Sequence, residues 1–168
     1  GAYIADSDVE FRNVTFINNG NPMAYGGGGL SQRYSIVSLF NCLFYSNIDD
    51  EINLYNEPSD PDNIINIYNC TILGLIDFTY STLNVTNSIL LGATLQSNST
   101  YNINYSLTSA DYGGVGNLVQ LDPLFTDSEN GDYTLQMNSP CIDAGDPDLD
   151  GDGEDYTTDT DDQDPDGT

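Results

Sequence analysis

The sequence contains no histidine, no lysine and no tryptophan, and its only cations are Arg12 and Arg33. Without basic side chains to displace counterions, neither a nucleic acid nor an anionic membrane is a fitting partner. No apolar run approaches the ~20 residues that span a bilayer, so no membrane insertion is expected. The cysteines number only three, Cys42, Cys70 and Cys141, and an odd count leaves at least one unpaired within the chain. No segment keeps a helical period with caps over three turns, which turns the reading toward strands. What is abundant is acid: 27 Asp and Glu give a formal charge of −25. Twelve of these acids crowd between Asp143 and Asp166, so the chain divides into a body and an acidic tail.

The body carries a repeated phrase in which an apolar residue stands two places before an Asn and small or apolar residues stand one and three places after it. The copies are Phe11, Asn13, Val14, Phe16; Leu39, Asn41, Cys42, Phe44; Ile67, Asn69, Cys70, Ile72; and Val85, Asn87, Ser88, Leu90. The Asn residues are 28, 28 and 18 apart, and a degenerate copy follows at Ile103, Tyr105, Ser106. From the first apolar position to the residue after Asn is an odd step. Strand side chains change face at every residue, so both point inward only if the chain bends at the Asn. Asn tolerates the left-handed conformation such a corner requires, and its amide both donates and accepts, so stacked copies can form a ladder. A strand, a corner and a strand repeated at this interval specify a solenoid. The expected fold is all-β, a right-handed parallel β-helix over residues 1–142, with five or six turns between residues 3 and 120. Residues 143–168 are expected as an Asp-rich, calcium-binding tail packed on the end of the solenoid.

Two polar stretches, Asn18 to Gly29 and Asp49 to Asn63, read as loops thrown out from the repeat. The run Gly26 to Gly29 lacks the following helix and basic residue of a phosphate cradle and reads as a close-approach segment. Cys42 and Cys70 share a phase, which stacks them about 4.8 Å apart, and the expectation is a reduced core stack. Asn-X-Ser/Thr triplets begin at Asn13, Asn69, Asn84, Asn98 and Asn104. Asn13 and Asn69 are already explained as corners, so any glycan is expected on Asn84 or Asn98. The twelve tyrosines read mainly as strand residues, and only several on one outer face would suit stacking on sugar rings. Tyr3, Ile4 and Ala5 already read as strand, so the row they begin is expected to be an unpaired leading edge.

From Leu121 the chain runs Leu121, Asp122, Pro123, Leu124, Phe125, then Gly131, Asp132, Tyr133, Thr134, Leu135, then Ser139, Pro140, Cys141, Ile142, Asp143, Ala144, Gly145, Asp146. With the upstream Asn-Cys-Thr-Ile and Asn-Ser-Ile-Leu phrases, this resembles the C-terminal part of secreted bacterial right-handed parallel β-helix proteins of the pectate-lyase-like superfamily. The resemblance implies a secreted or cell-surface location. It says little of chemistry, because lyases, hydrolases and adhesins share the fold. Lyase members use Arg or Lys as base, which leaves only Arg12 and Arg33 here. Hydrolysis needs two carboxylates, for which Asp49 and Asp50, with Glu51 beside them, are the best adjacent set. The His and the Arg-Lys pair of the hydrolase members are missing.

In the tail, Asp146, Asp148, Asp150 and Gly151 form D-x-D-x-D-G, followed by Asp152 and Asp155, and the pattern returns sixteen residues later at Asp162, Asp164, Asp166 and Gly167. Carboxylates on alternate residues of a tight loop converge on a hard cation. The first copy resembles the calcium loops of dockerin and thrombospondin type 3 repeats, with Thr157 where those loops carry a bidentate Glu. Asp146, Asp148, Asp150, Asp152 and Asp155 are expected to bind one Ca²⁺, and Asp159, Asp161, Asp162, Asp164 and Asp166 to complete the site or form a second. The expected function is a non-catalytic extracellular structural or adhesive module stabilised by calcium, self-associating head to tail into an oligomer or filament. The alternatives are a module that binds an extracellular polysaccharide and a fragment of a glycan-degrading enzyme.

Overall fold

A computed structural model describes residues 1–20, 28–60, 62–95 and 98–148. The fold is a parallel β-helix in which each coil contributes one strand to each of three sheets. The first coil is β1 (Ala2–Ala5), β2 (Asp8–Arg12) and β3 (Thr15–Ile17); the second is β4 (Leu30–Arg33), β5 (Ile36–Phe40) and β6 (Leu43–Tyr45). The third is β7 (Ile52–Tyr55), β8 (Ile64–Tyr68) and β9 (Thr71–Ile72), and the fourth β10 (Ile76–Thr79), β11 (Thr82–Thr86) and β12 (Ile89–Leu90). The fifth is β13 (Ala93–Leu95), β14 (Thr100–Asn104) and β15 (Leu107–Thr108), after which β16 (Leu118–Val119) adds one strand more. The sheets run β1-β4-β7-β10-β13, β2-β5-β8-β11-β14 and β3-β6-β9-β12-β15-β16, all parallel.

Register places like residues over like. Phe11, Leu39, Ile67, Val85 and Ile103 pair in succession, and Val37, Ile65 and Leu83 form a second inward row of the same sheet. On the other two sheets Phe44 and Ile72, and Leu30, Ile52 and Ile76, are fully buried. The Phe16 and Phe44 rings stack at 4.4 Å. The apolar residues thus fill the interior as axial rows, each burial of a Val, Leu or Ile contributing about 1.5–3 kcal/mol.

The corners carry the backbone exceptions. Asn13, Asn41, Asn69 and Asn87 occupy equivalent positions with φ between 52° and 55°, and Tyr105 takes the fifth with φ 47°. Asp6, Tyr34 and Tyr80 turn a second corner, and Asn18 and Ser46 a third, all left-handed. The expectation of one continuous loop from Asp49 to Asn63 is corrected: Ile52–Tyr55 is β7, bonded between β4 and β10, because its Ile52 and Leu54 fill the interior. Beyond the solenoid, β17 (Phe125–Asp127) and β18 (Asp132–Leu135) pair antiparallel around a short turn at Ser128–Asn130. No helix among the described residues is long and apolar enough to cross a membrane.

Candidate functional site

Hydrogen-bonded side-chain ladders run along the solenoid at its corners and on one face. After the Asn corner, the backbone N–H of Cys42 donates to Cys70 Sγ (3.3 Å), that of Cys70 to Ser88 Oγ (3.0 Å), that of Ser88 to Ser106 Oγ (3.1 Å) and that of Ser106 to Asn117 Oδ1 (3.0 Å). At the second corner Ser7 N–H donates to Ser35 Oγ, Ser35 N–H to Asn63 Oδ1, Asn63 Nδ2 to Ser81 Oγ and Ser81 N–H to Ser99 Oγ. Each corner therefore pairs backbone groups that the bend withdraws from the sheet ladders. On the outer face of the β2-β5-β8-β11-β14 sheet, Asn102 Nδ2 donates to Asn84 Oδ1 (2.8 Å), Asn84 Nδ2 to Asn66 Oδ1 (2.9 Å) and Asn66 Nδ2 to Ser38 Oγ (3.3 Å). Beside this ladder Arg12 lies over the Phe40 ring at 3.9 Å, and Phe40 stacks on Tyr68 at 5.0 Å.

The third corner holds a buried carboxyl. Glu51 is 4% exposed and accepts hydrogen bonds from the backbone N–H and side-chain amide of Asn47. Asn47 in turn accepts from Asn19 and donates to the Phe16 carbonyl, tying successive coils together. Gly74 provides the room: a Cβ there would stand 2.8 Å from Glu51 Cγ. Burial pushes the Glu51 carboxyl above the usual range, against the lowering effect of the Asn47 bonds. Asp50 is likewise raised by burial, while Asn53 Nδ2 donates to its Oδ2 at 3.0 Å.

The hairpin β17–β18 folds back across the outer side of the third sheet. Tyr133 packs edge-on to Tyr45 and Phe125, and Tyr133 and Leu135 face Ile89 and Leu107 across a groove of about 340 Å³. Ile89 and Leu107 are consequently buried although they point out of the solenoid. Where the chain leaves the hairpin, Asp146 N–H donates to the corner amide Asn87 Oδ1 at 2.7 Å, and Asp148 N–H donates to Asp146 Oδ1 at 3.3 Å. The beginning of the tail is thus fastened to the Asn corner.

Of the ten carboxylates expected to hold calcium, Asp146 and Asp148 are placed there; Asp150, Asp152, Asp155, Asp159, Asp161, Asp162, Asp164 and Asp166 lie outside the described residues. Asp146 Oδ1 accepts from the Asp148 N–H two residues on, and the expected ligand set is oxygen alone, which fits a hard cation. Among the described residues no three Cys, Asp or Glu form a group able to hold a metal ion. Arg12 pairs with Glu10 on the surface, and Arg33 with Asp60 at 3.7 Å. Asn84 sits mid-strand in the Asn ladder, whereas Asn98 is exposed beside a polar groove with Glu57, Asp60, Asp62, Tyr80 and Thr100. Exposed Tyr3 and Tyr55 lie in different rows of the first sheet, and Tyr68 lies on another sheet. The second-corner ladder escaped the sequence reading although Ser7, Ser35, Asn63, Ser81 and Ser99 recur at 28, 28, 18 and 18, the interval of the Asn phrase and its Tyr105 copy.

No protein-family model, no curated protein and no solved structure matches the chain.

Proposed function

We propose that the protein is a non-catalytic extracellular structural module, a β-helix spacer whose Asp-rich tail binds Ca²⁺. The observation that carries this reading is the set of ladders just described. They join coil to coil through side chains as well as through the sheets, so the solenoid is cross-linked along its axis at its corners and on one face. Such continuity suits an element that holds its length and presents a surface. The calcium reading is supported by the docking of Asp146 on Asn87, which fixes where the oxygen-rich stretch begins. The export reading, and membership of the pectate-lyase-like superfamily, rest on the resemblance carried by Leu121 to Asp146 together with the upstream Asn-Cys-Thr-Ile and Asn-Ser-Ile-Leu phrases.

Self-association is a narrower matter. Tyr105 N–H donates to Val115 O, Val115 N–H to Asn104 Oδ1, and Tyr112 packs against the core, so residues 112–117 lie over the end of β14. A second copy stacking head to tail would have to displace them. The geometry thus favours a spacer over a filament. Polysaccharide binding has one feature in its favour, the open polar groove beside Asn98, Thr100 and Tyr80.

A paired assay on acidic and neutral polysaccharides tests the reading. We expect neither release of reducing ends nor retention of the full chain on the immobilised glycans. Release of reducing ends overturns the non-catalytic reading, and saturable retention replaces the spacer with a binding module.

A further inference from the structure

The residue that follows the left-handed corner is Ser in the fourth and fifth coils, Ser88 and Ser106, but Cys in the second and third, Cys42 and Cys70. Hydrogen bonding does not demand the change. Cys42 and Cys70 Sγ donate to the Phe40 and Tyr68 carbonyls at 3.3 and 3.1 Å, as Ser88 and Ser106 Oγ do to Thr86 and Asn104 at 2.9 and 2.8 Å. What a hydroxyl lacks is the capacity for a covalent bond to the coil beside it.

Phe40 pairs with Tyr68 and Leu43 with Thr71, so Cys42 and Cys70 stand in register on adjacent coils. The parallel spacing sets their Cα atoms about 4.8 Å apart, inside the roughly 4.4–6.8 Å window of disulfides. The Cys70 sulfur also lies 3.3 Å from the Cys42 backbone nitrogen and accepts a hydrogen bond from its N–H. We propose that Cys42 and Cys70 are a dithiol modification site, which a low-molecular-weight disulfide closes into a covalent staple between the second and third coils. The proposal is independent of the calcium and export readings.

Cys42 borders the space beneath the hairpin, and the neighbouring Cys70 lowers its thiol, so Cys42 is taken as the attacking thiolate. It attacks one sulfur of the reagent, forming a mixed disulfide and expelling one thiolate, which takes up the proton that Cys42 gave up. Cys70 then loses its proton and attacks the Cys42 sulfur, and the second reagent thiolate leaves with that proton. Two protein thiols are oxidised and one reagent disulfide is reduced to two thiols. Cys42 and Cys70 are each 2% exposed, and Cys42 borders a space of about 400 Å³ beneath the hairpin with Asn69, Thr71 and Tyr133, so the reagent is expected to approach from that side.

The test exposes the reduced full chain, wild type and Cys141→Ser, to 2-hydroxyethyl disulfide, then removes the reagent, denatures and alkylates. We expect the Cys141→Ser chain to retain no alkylatable thiol and no reagent mass. The wild type should yield a linked Cys42–Cys70 peptide on digestion, and its melting temperature should rise by several degrees and fall back with dithiothreitol. Alkylation of both core thiols, reagent held on Cys42 or Cys70, or a Cys70–Cys141 link would each overturn the proposal. Should Cys141→Ser not fold, the wild-type peptide map alone decides.

Discussion

At the Asn corner a single left-handed residue decides where the chain turns. At Asn69 the φ of 52° disfavours any residue with a branched Cβ, so Asn69→Val should lose about 1–2 kcal/mol, whereas Asn69→Gly should be tolerated. Urea unfolding of the two variants separates backbone strain from loss of the amide, because both remove the amide and only one adds the strain. Glu51 makes the second prediction at this scale. Its folded-state carboxyl lies above the unfolded value, so its contribution to stability is complete below about pH 4.3 and is lost as pH rises through the higher folded value. Asp50 shifts in the same direction, so both flatten together. Melting temperature should therefore decline with rising pH above that point, and Glu51→Gln should reduce the decline; an unchanged slope in the variant would show that the carboxyl is not desolvated.

Among the strands, inward rows and outward ladders contribute unequally. Ile67 is fully buried between Leu39 and Val85, so Ile67→Ala should cost about 2–5 kcal/mol, while Asn84→Ala on the outer ladder should cost about 1 kcal/mol. Equal losses in denaturant titrations would mean that the amide ladder, not the core, holds the coils. This scale also shows what could be read in advance. The Asn corners were legible because the backbone demands the same rare conformation each time and few residues accept it. The second corner was hidden, since its left-handed residue changes from Asp6 to Tyr34 to Tyr80 and only the following Ser or Asn repeats. β7 was hidden among the polar residues that flank it, and Glu51, placed with Asp49 and Asp50 as a loop carboxylate, is buried only because Gly74 on the next coil leaves room. The fold-back of β17–β18 over Ile89 and Leu107 depends on contacts far apart in sequence, which no local pattern records.

For the molecule as a whole, the dominant feature is negative charge, twelve of its 27 acids falling between Asp143 and Asp166 of the sequence. One of them, Asp146, is bonded through its N–H to Asn87, and carboxylates so close in sequence repel one another. A cation held by that stretch would relieve the repulsion and couple the tail to the solenoid. Because such a cation binds only the folded loop, a hundredfold excess over Kd should add about 2.7 kcal/mol. Calorimetric titration of the full chain with Ca²⁺, paired with melting in calcium and in chelator, tests the account most directly. It predicts uptake of one or two ions, a higher melting temperature with calcium, and loss of both effects on changing Asp148 and Asp150 to Asn. No heat of binding together with the same melting temperature in chelator would contradict it.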